Sequence, residues 1–138
     1  MCVCVFFFFS GNDGAVVAAK LIHGNPVLQR LALWNCGIGD IGAIALASSL
    51  HANHRLTEMS LRDNCLTDEG ATAFVGALNA NPGLRVLNLA GNRIGKTGAD
   101  ELQNVLKTYG TLHELDLSFN NILKHDEIEM LPRSHKLR

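Results

Sequence analysis

Leucines recur along this chain at a constant interval of 28 residues, at Leu28, Leu56, Leu84 and Leu112. The skeleton Leu-x-x-Leu-x-Leu-x-x-Asn-x-Leu/Ile follows in each case, with one methionine and one cysteine substituted. Its other positions are Leu31, Leu33, Cys36 and Ile38; Met59, Leu61, Asn64 and Leu66; Leu87, Leu89, Asn92 and Ile94; and Leu115, Leu117, Asn120 and Ile122. Self-similarity at a fixed period of this kind is the signature of a solenoid, in which each repeat packs only on its neighbours.

Each repeat combines a short strand with a helix. Apolar residues at every second position, as at Met59 and Leu61, are typical of a strand. A glycine follows at the same step, at Gly42, Gly70 and Gly98, and begins a stretch of apolar residues at helical spacing. The pattern predicts parallel strands on the inner surface and helices, such as residues 42–50 and 70–78, on the outer surface. The small residues at the glycine step should let each helix start close to the sheet.

The asparagine of each skeleton is expected to hold the turn that follows the strand. Asn64, Asn92 and Asn120 stand where the chain leaves its strand, and Cys36 takes this position in the first full repeat. Because buried backbone N–H and C=O groups need partners, we expect the asparagine amides to bond the backbone of neighbouring turns.

This pattern resembles the ribonuclease-inhibitor-like class of leucine-rich repeats over roughly residues 11–123. The resemblance implies an α/β leucine-rich repeat solenoid, a horseshoe arc with parallel strands on its concave face and helices on its convex face. Ribonuclease inhibitor alternates two repeat lengths, whereas the interval here is constant at 28 residues. The constant interval is similar to that of the NOD-like receptor tails and related cytoplasmic repeat proteins.

The register of the pattern divides the chain into three parts. Residues 1–10 form an apolar segment, residues 11–125 carry the repeats, and residues 126–138 form a C-terminal tail. Within the array we expect a partial repeat at 11–27, full repeats at 28–55, 56–83 and 84–111, and a partial repeat at 112–125. Neither end carries an evident polar cap, so we expect further repeats upstream and downstream in the parent chain.

The apolar run at residues 1–9 has three interpretations. As a signal or anchor it is too short for the roughly 20 residues that span a bilayer, and it lacks a positive region and a cleavage site. As a degenerate strand it would place Val3 and Val5 one period before Leu31 and Leu33. Thirdly, its Cys-Val alternation, four phenylalanines and Ser-Gly resemble the translated end of an intron, a gene-model artefact whose true exon would begin near Gly11.

Composition limits the classes of partner. The 138 residues are 47% hydrophobic with a mean hydropathy of +0.12, and the net charge is −1 at a pI of about 6.6. Such a balance gives no basic field for nucleic acid, and no membrane binding is expected. Of the four cysteines, Cys36 and Cys65 fall inside repeats, where a small buried thiol is suitable. We therefore predict a reduced, cytoplasmic setting.

Residues 90–97 match a loose phosphate-loop pattern, Ala-x-x-x-x-Gly-Lys-Thr, between a predicted strand and a predicted helix. The corresponding residues of neighbouring repeats carry no such chemistry, and Asn92 and Ile94 belong to the repeat skeleton. The repeat interpretation accounts for the segment, so no nucleotide or other cofactor is predicted.

Two further groups have the residue types of a site without its arrangement. His51 and His54 are three residues apart in a predicted turn, where they are expected to be solvated. Ser60, Asp63 and His54 supply the types of a catalytic triad, but nothing in the pattern brings them together or supplies an oxyanion site. We predict no metal and no catalytic residues, and therefore no enzyme.

The remaining candidate site is the inner surface. Residues that flank the strand leucines project there and align in rows across the repeats, so Arg30 is expected to pair with Glu58 on the next strand. Trp34, the only tryptophan, and Phe119 are large aromatics of the kind that dominates binding energy. The predicted partner-binding residues are Arg30, Trp34, Glu58, Arg62, Asp63, Asn88, Glu114, Asp116 and Phe119.

The sequence therefore predicts a non-enzymatic protein-protein interaction module that uses a concave parallel sheet. The resemblance implies a fragment of a NOD-like-receptor-type or other cytoplasmic repeat protein. An alternative is a regulator of a partner enzyme, such as a GTPase-activating protein resembling the Ran activator, or a ribonuclease inhibitor. A ribonuclease inhibitor would be expected to have a strongly acidic inner surface, whereas the inner surface of this chain is only mildly acidic. The charge therefore argues against that alternative.

Overall fold

The computed structural model of the chain describes residues 2–4, 10–109 and 111–122. Strands and helices alternate without exception through these ranges. In chain order the elements are β1 (Cys2–Cys4), α1 (Gly11–Ile22), β2 (Arg30–Ala32), α2 (Asp40–Leu50), β3 (Glu58–Ser60), α3 (Asp68–Ala80), β4 (Val86–Asn88), α4 (Lys96–Tyr109) and β5 (Glu114–Asp116). The predicted C-terminal tail, residues 126–138, lies outside the described residues.

The five strands form one parallel sheet in the order β1-β2-β3-β4-β5. Each strand residue pairs with the equivalent residue of the next repeat. Val3, Leu31, Met59, Leu87 and Leu115 therefore stand side by side across the sheet. The last four were predicted as adjacent rungs, and that prediction is confirmed. The fold is an α/β leucine-rich repeat solenoid, with its strands on the concave face and its helices on the convex face.

Strand β1 bears on the interpretation of the first nine residues. Val3 pairs with Leu31 in the register that the degenerate-strand interpretation requires. Whether the segment belongs to the natural protein stays a separate hypothesis, which transcript reads across the codon of Gly11 would test.

The core runs without interruption between the sheet and the helices. The leucines that immediately follow the strands, such as Leu33 and Leu61, are completely buried. Leu46 of α2 and Phe74 of α3 are buried against them in the same cluster. Among the helices, each packs only on the ones directly before and after it in the chain, as is usual in a stack of repeats.

The helices begin earlier than the glycine pattern predicts, and an acidic or amide side chain of the preceding repeat holds the starts of α2, α3 and α4. Asp40 of α2 accepts the backbone N–H groups of Thr67 and Gly70 through Oδ1, at 2.8 and 3.0 Å. Asn12 accepts those of Gly39 and Gly42 in the same way, at 2.9 and 3.0 Å. Helix α3 therefore starts at Asp68 rather than at Gly70.

The helix glycines have a second role beside the one predicted for them. A Cβ added to Gly42 would lie 2.7 Å from the Ala15 Cβ and 2.9 Å from Asn12 Oδ1, both in the preceding helix, and 2.8 Å from Ile38 Cγ2. The glycine therefore sets the spacing between consecutive helices at least as much as the distance from helix to sheet.

The predicted asparagine bonds are confirmed. The Asn92 Nδ2 donates to the carbonyl oxygens of Leu61, Leu89 and Ala90 at 3.0, 2.9 and 3.3 Å, and Oδ1 accepts the Leu66 N–H at 3.0 Å. Asn64 and Asn120 make the corresponding contacts one repeat away. Each side chain therefore links its own turn to the turn of the preceding repeat.

A second asparagine series, at Asn25, Asn53 and Asn81, was not predicted although it has the same 28-residue spacing. Asn53 Nδ2 donates to the carbonyl oxygens of Ile22 and Asn25, at 2.6 and 3.1 Å. Its Oδ1 accepts the N–H groups of Arg55 and Leu56. This series joins the helix ends just before each strand.

Candidate protein-interaction surface

The residues that flank the buried strand leucines make up the concave face, and the pairing of the strands sets them in rows. Glu58 stands beside Arg30 and Val86, and Asn88 stands between Ser60 and Asp116. The rows of the concave face are Arg30, Glu58, Val86 and Glu114; Ala32, Ser60, Asn88 and Asp116; Trp34, Arg62, Ala90 and Ser118; and Asn35, Asp63, Gly91 and Phe119.

The expected ion pair between Arg30 and Glu58 is not formed. Within residues 10–109 and 111–122 the single ion pair joins Arg62 Nε to Asp63 Oδ2 at 3.1 Å, with both side chains about half exposed. Arg30 remains exposed at the start of β2, and Glu58 is half-buried.

Trp34 lies in the turn after β2 and bridges to the next strand. Its Nε1–H donates to Ser60 Oγ at 2.6 Å, and the residue is 44% exposed. The hydrogen bond fixes the indole across two repeats while a large part of its surface stays accessible. This combination of a rigid aromatic ring and a satisfied polar group suits a binding residue.

Two of the predicted binding residues are committed to holding their own turns. Asn88 Oδ1 accepts the Ala90 N–H at 3.0 Å, and Asp116 Oδ1 accepts the N–H and the hydroxyl of Ser118 at 3.0 and 2.7 Å. A weak contact of 3.4 Å joins Asn88 Nδ2 to Asp116 Oδ2. Both residues are half-buried, whereas Glu114 is exposed and gives this end of the face its accessible negative charge.

One row has a backbone property that the pattern did not reveal. Asn35, Asp63, Gly91 and Phe119 all have positive φ, at 49°, 56°, 68° and 57°. Glycine, asparagine and aspartate adopt this left-handed conformation with little penalty, but a phenylalanine rarely does. Phe119 is nevertheless 82% exposed, so burial against the described residues does not offset this strain.

Other candidate chemistry is dispersed. His51 and His54 are exposed in the turn after α2, and Asn92 and Ile94 of the loose phosphate-loop match are buried in the repeat core. In the described ranges no group of three or more His, Cys, Asp or Glu side chains could hold a metal ion. Burial raises the pKa of the Cys36 thiol, whose Sγ donates to the Trp34 carbonyl at 3.2 Å.

No helix in the described part of the chain is both long enough and apolar enough to cross a membrane.

Comparison with known families agrees with the repeat geometry. The family model described as Leucine Rich repeat matches residues 24–47, 52–75, 80–102 and 111–122, more than half of the chain. The protein therefore belongs to the leucine-rich repeat family. No curated protein sequence matches it.

Among solved structures, the fold is similar to two domains that share this architecture. The first, leiomodin-1 actin-binding site 2, is 29% identical with a TM-score of 0.72; the match covers 83% of this chain and 68% of that one. The second, the tropomodulin C-terminal domain of Caenorhabditis elegans, is 13% identical with a TM-score of 0.74; it covers 86% of this chain and 73% of that one. The second similarity shows the fold alone.

Proposed function

We propose that this protein is a non-enzymatic interaction module that binds a protein partner on the concave face. The observation that carries the proposal is the exposure of two large aromatic residues, Trp34 at 44% and Phe119 at 82%, at the carboxyl ends of the strands. Arg62 is exposed in the row that contains Trp34. Aromatic side chains and arginine supply most of the energy at protein interfaces, because they bury much area at a low entropic cost.

The charges of the concave face favour a partner with mixed charge. Arg30 is exposed at one end and Glu114 at the other, while Arg62 and Asp63 neutralise each other between them. Such an arrangement can orient a partner without attracting highly charged molecules indiscriminately. It supports a folded protein as the partner rather than a nucleic acid.

Actin is the first partner we propose to test. The similar leiomodin-1 domain is described as an actin-binding site, and the match covers 83% of this chain at 29% identity. The NOD-like-receptor interpretation predicts a different ligand, and the Ran-activator and ribonuclease-inhibitor alternatives predict a GTPase or a ribonuclease. Titrating the chain against a GTPase and against a ribonuclease in the same assay distinguishes these two alternatives from actin binding.

The test is a direct titration of the purified chain against fluorescently labelled monomeric actin and against filaments by co-sedimentation. A Trp34→Ala/Arg62→Ala variant should weaken binding by at least about tenfold, because each residue of an interface core contributes on the order of 1–2 kcal/mol. Its thermal midpoint should change by less than about 4 °C, the shift expected for 1 kcal/mol in a domain of this size.

The matched control is Asp100→Ala/Asn104→Ala, which removes two exposed side chains from the convex helix α4. This variant should bind as the wild type does. Equal loss of binding in both variants, or a large loss of stability in the concave-face variant alone, would contradict the proposed site. Absence of any binding to actin would remove actin as the partner.

A further inference from the structure

The positive charges of the array gather on one of its two lateral edges. This edge, called here the helix-to-strand edge, consists of the last turn of each helix and the residues that lead from it to the first residue of the next strand. It carries five of the eight lysines and arginines that the structure describes, all four described histidines, and only two carboxylates. These residues are Lys20, Arg30, Arg55, Arg85 and Lys107; His23, His51, His54 and His113; and Glu58 and Glu114. With neutral histidines the edge has an excess of three positive charges, although the net charge of the whole chain is −1.

The helix dipole explains only part of this distribution. Lys20 and Lys107 stand in the last turns of α1 and α4, where the dipole favours a positive charge. Arg55, Arg85 and His113 lie outside the helices, and all three are exposed. Stabilisation of helix ends therefore does not account for them.

The backbone places Arg85 and His113 on adjacent rungs of the sheet. The Arg85 N–H donates to the Thr57 carbonyl oxygen at 2.8 Å, and the His113 N–H donates to the Arg85 carbonyl oxygen at 2.8 Å. These residues extend the ladder by one residue beyond the starts of the strands, where neighbouring rungs are roughly 5 Å apart. The two side chains therefore belong to one continuous surface.

The segment that carries Arg55 packs directly on the segment that leads to Arg85. The Arg55 N–H donates to Asn53 Oδ1 at 2.8 Å. A Cβ added to Gly83 would lie 2.5 Å from the carbonyl oxygen of His54, so the two chain segments are in close contact. The backbone thus holds both arginines in place before any partner binds.

The guanidinium groups of Arg55 and Arg85 are available for a partner. Within the described ranges the single ion pair joins Arg62 to Asp63, and neither Arg55 nor Arg85 has a side-chain hydrogen bond there. Both arginines have described repeats on either side, so the neighbouring repeats are present and still leave this edge open. A guanidinium presents paired N–H donors that match the two oxygens of a carboxylate.

We propose that the helix-to-strand edge binds an acidic segment of a partner protein, whose carboxylates pair with Arg55 and Arg85 and whose backbone runs across the repeats toward His113. Glu58 and Glu114 interrupt the positive charge at the first residues of β3 and β5. This interruption disfavours a continuous polyphosphate such as a nucleic acid, which needs an unbroken row of cations. A peptide whose carboxylates stand at separate positions fits the discrete arginines better.

The test is a fluorescence anisotropy titration of a labelled polyglutamate peptide with the full chain. The wild type should bind at low ionic strength, and its affinity should fall several-fold between about 50 and 200 mM salt, because ions screen exposed charges. Arg55→Glu/Arg85→Glu should raise the dissociation constant at least about tenfold, because it sets carboxylates opposite those of the peptide. Circular dichroism verifies that the variant is folded.

The matched control is Arg93→Glu/Lys96→Glu, which changes the net charge of the chain by the same amount. Both residues are exposed on the opposite edge, between β4 and the first residue of α4. This variant should bind the peptide as the wild type does, because the recognition is local rather than a response to net charge.

Three results would overturn the proposal: no binding of the peptide, equal loss of binding in the two charge-reversal variants, or tighter binding of a thymidine oligonucleotide or of phosphatidylserine vesicles than of the peptide. The proposed edge site includes neither Trp34 nor Arg62, so Trp34→Ala/Arg62→Ala should bind the peptide as the wild type does. The edge site and the proposed binding on the concave face can therefore fail independently.

Discussion

The Asp40 carboxylate lies directly over Gly70, and this contact joins two consecutive repeats. Asp40 Oδ1 accepts the Gly70 N–H at 3.0 Å, and the same oxygen would lie 2.5 Å from a Cβ added to Gly70. Asp40 thus satisfies a backbone donor at the start of α3, where the helix dipole also favours a negative charge. The cost is that no side chain larger than a hydrogen fits at residue 70.

Two glycines of α3 should therefore respond oppositely to alanine. Gly70→Ala should lower the free energy of unfolding by roughly 1–3 kcal/mol, because the methyl group overpacks against Asp40 and against Ala43, whose Cβ would be 3.2 Å away. Gly76 has no atom within 4 Å of an added Cβ, so Gly76→Ala should stabilise the helix by up to about 1 kcal/mol. Urea denaturation measures both; a neutral Gly70→Ala would contradict the account of the contact.

The asparagine after each strand should be among the most sensitive positions of the array. Asn92→Ala would leave the buried N–H of Leu66 without its partner and would remove one of the two donors to each of the carbonyls of Leu61 and Leu89, at a cost of roughly 1–3 kcal/mol. Asn104→Ala is the control, because Asn104 is exposed on α4 and its loss should cost less than about 0.5 kcal/mol. Similar denaturation midpoints for the two variants would show that the hydrogen bonds of the skeleton asparagines contribute little to stability.

The architecture was predictable because one physical requirement is repeated at constant spacing. A strand of three residues cannot bury its leucine alone, so Leu31 and Met59 must stack on each other. The skeleton asparagines were predictable for a related reason, since a buried turn needs partners for its backbone. Asn53 was missed because its series stands among variable turn residues and has no apolar skeleton around it.

The interaction surface was less predictable, since its rows are not constrained by the core. Sequence placed Arg30 beside Glu58 correctly, but it could not show that Glu58 would remain without an ion pair while Arg62 turned to Asp63. The left-handed backbone at Phe119 was likewise hidden, although glycine or asparagine at the equivalent residues of other repeats is a signal for it. Side-chain conformations and backbone strain depend on geometry that a pattern of residue types does not contain.

The thiol of Cys36 should make stability depend on pH above neutrality. Because burial raises its pKa in the folded protein, folding favours the protonated thiol. This contribution is fully present below the ordinary thiol pKa of about 8.5 and is lost as the pH rises through the raised value. Stability should therefore fall above about pH 8.5, and Cys36→Ala should reduce the decline. An unchanged pH profile in Cys36→Ala would contradict this assignment.

The same burial predicts slow modification of Cys36. Cys36 is 8% exposed and Cys65 is only half-buried, so a thiol-specific disulfide reagent at neutral pH should label Cys65 first. The measurement uses a Cys2→Ser/Cys4→Ser background, so that only these two thiols react. Equal rates in the folded protein would mean that the turn around Cys36 opens readily.

Replacing Phe119 should separate stability from binding. Asparagine accommodates the left-handed backbone better than phenylalanine, and Asn35 occupies the equivalent position with a φ of 49°. Phe119→Asn should therefore raise the free energy of unfolding by up to about 1 kcal/mol. If Phe119 contacts the partner on the concave face, the same change should weaken binding at least about tenfold, because an exposed aromatic of this size loses most of its contact area.

The reciprocal substitution tests the backbone part of this reasoning by itself. Asn35→Phe places phenylalanine in the same conformation and should lower stability by about 1 kcal/mol. Denaturation and partner titration of both variants distinguish the outcomes. A Phe119→Asn protein that is less stable would mean that the ring packs on the protein's own chain. One that is more stable but binds equally well would mean that the ring is not part of the interface. Only greater stability with weaker binding is consistent with a strained residue whose side chain serves recognition.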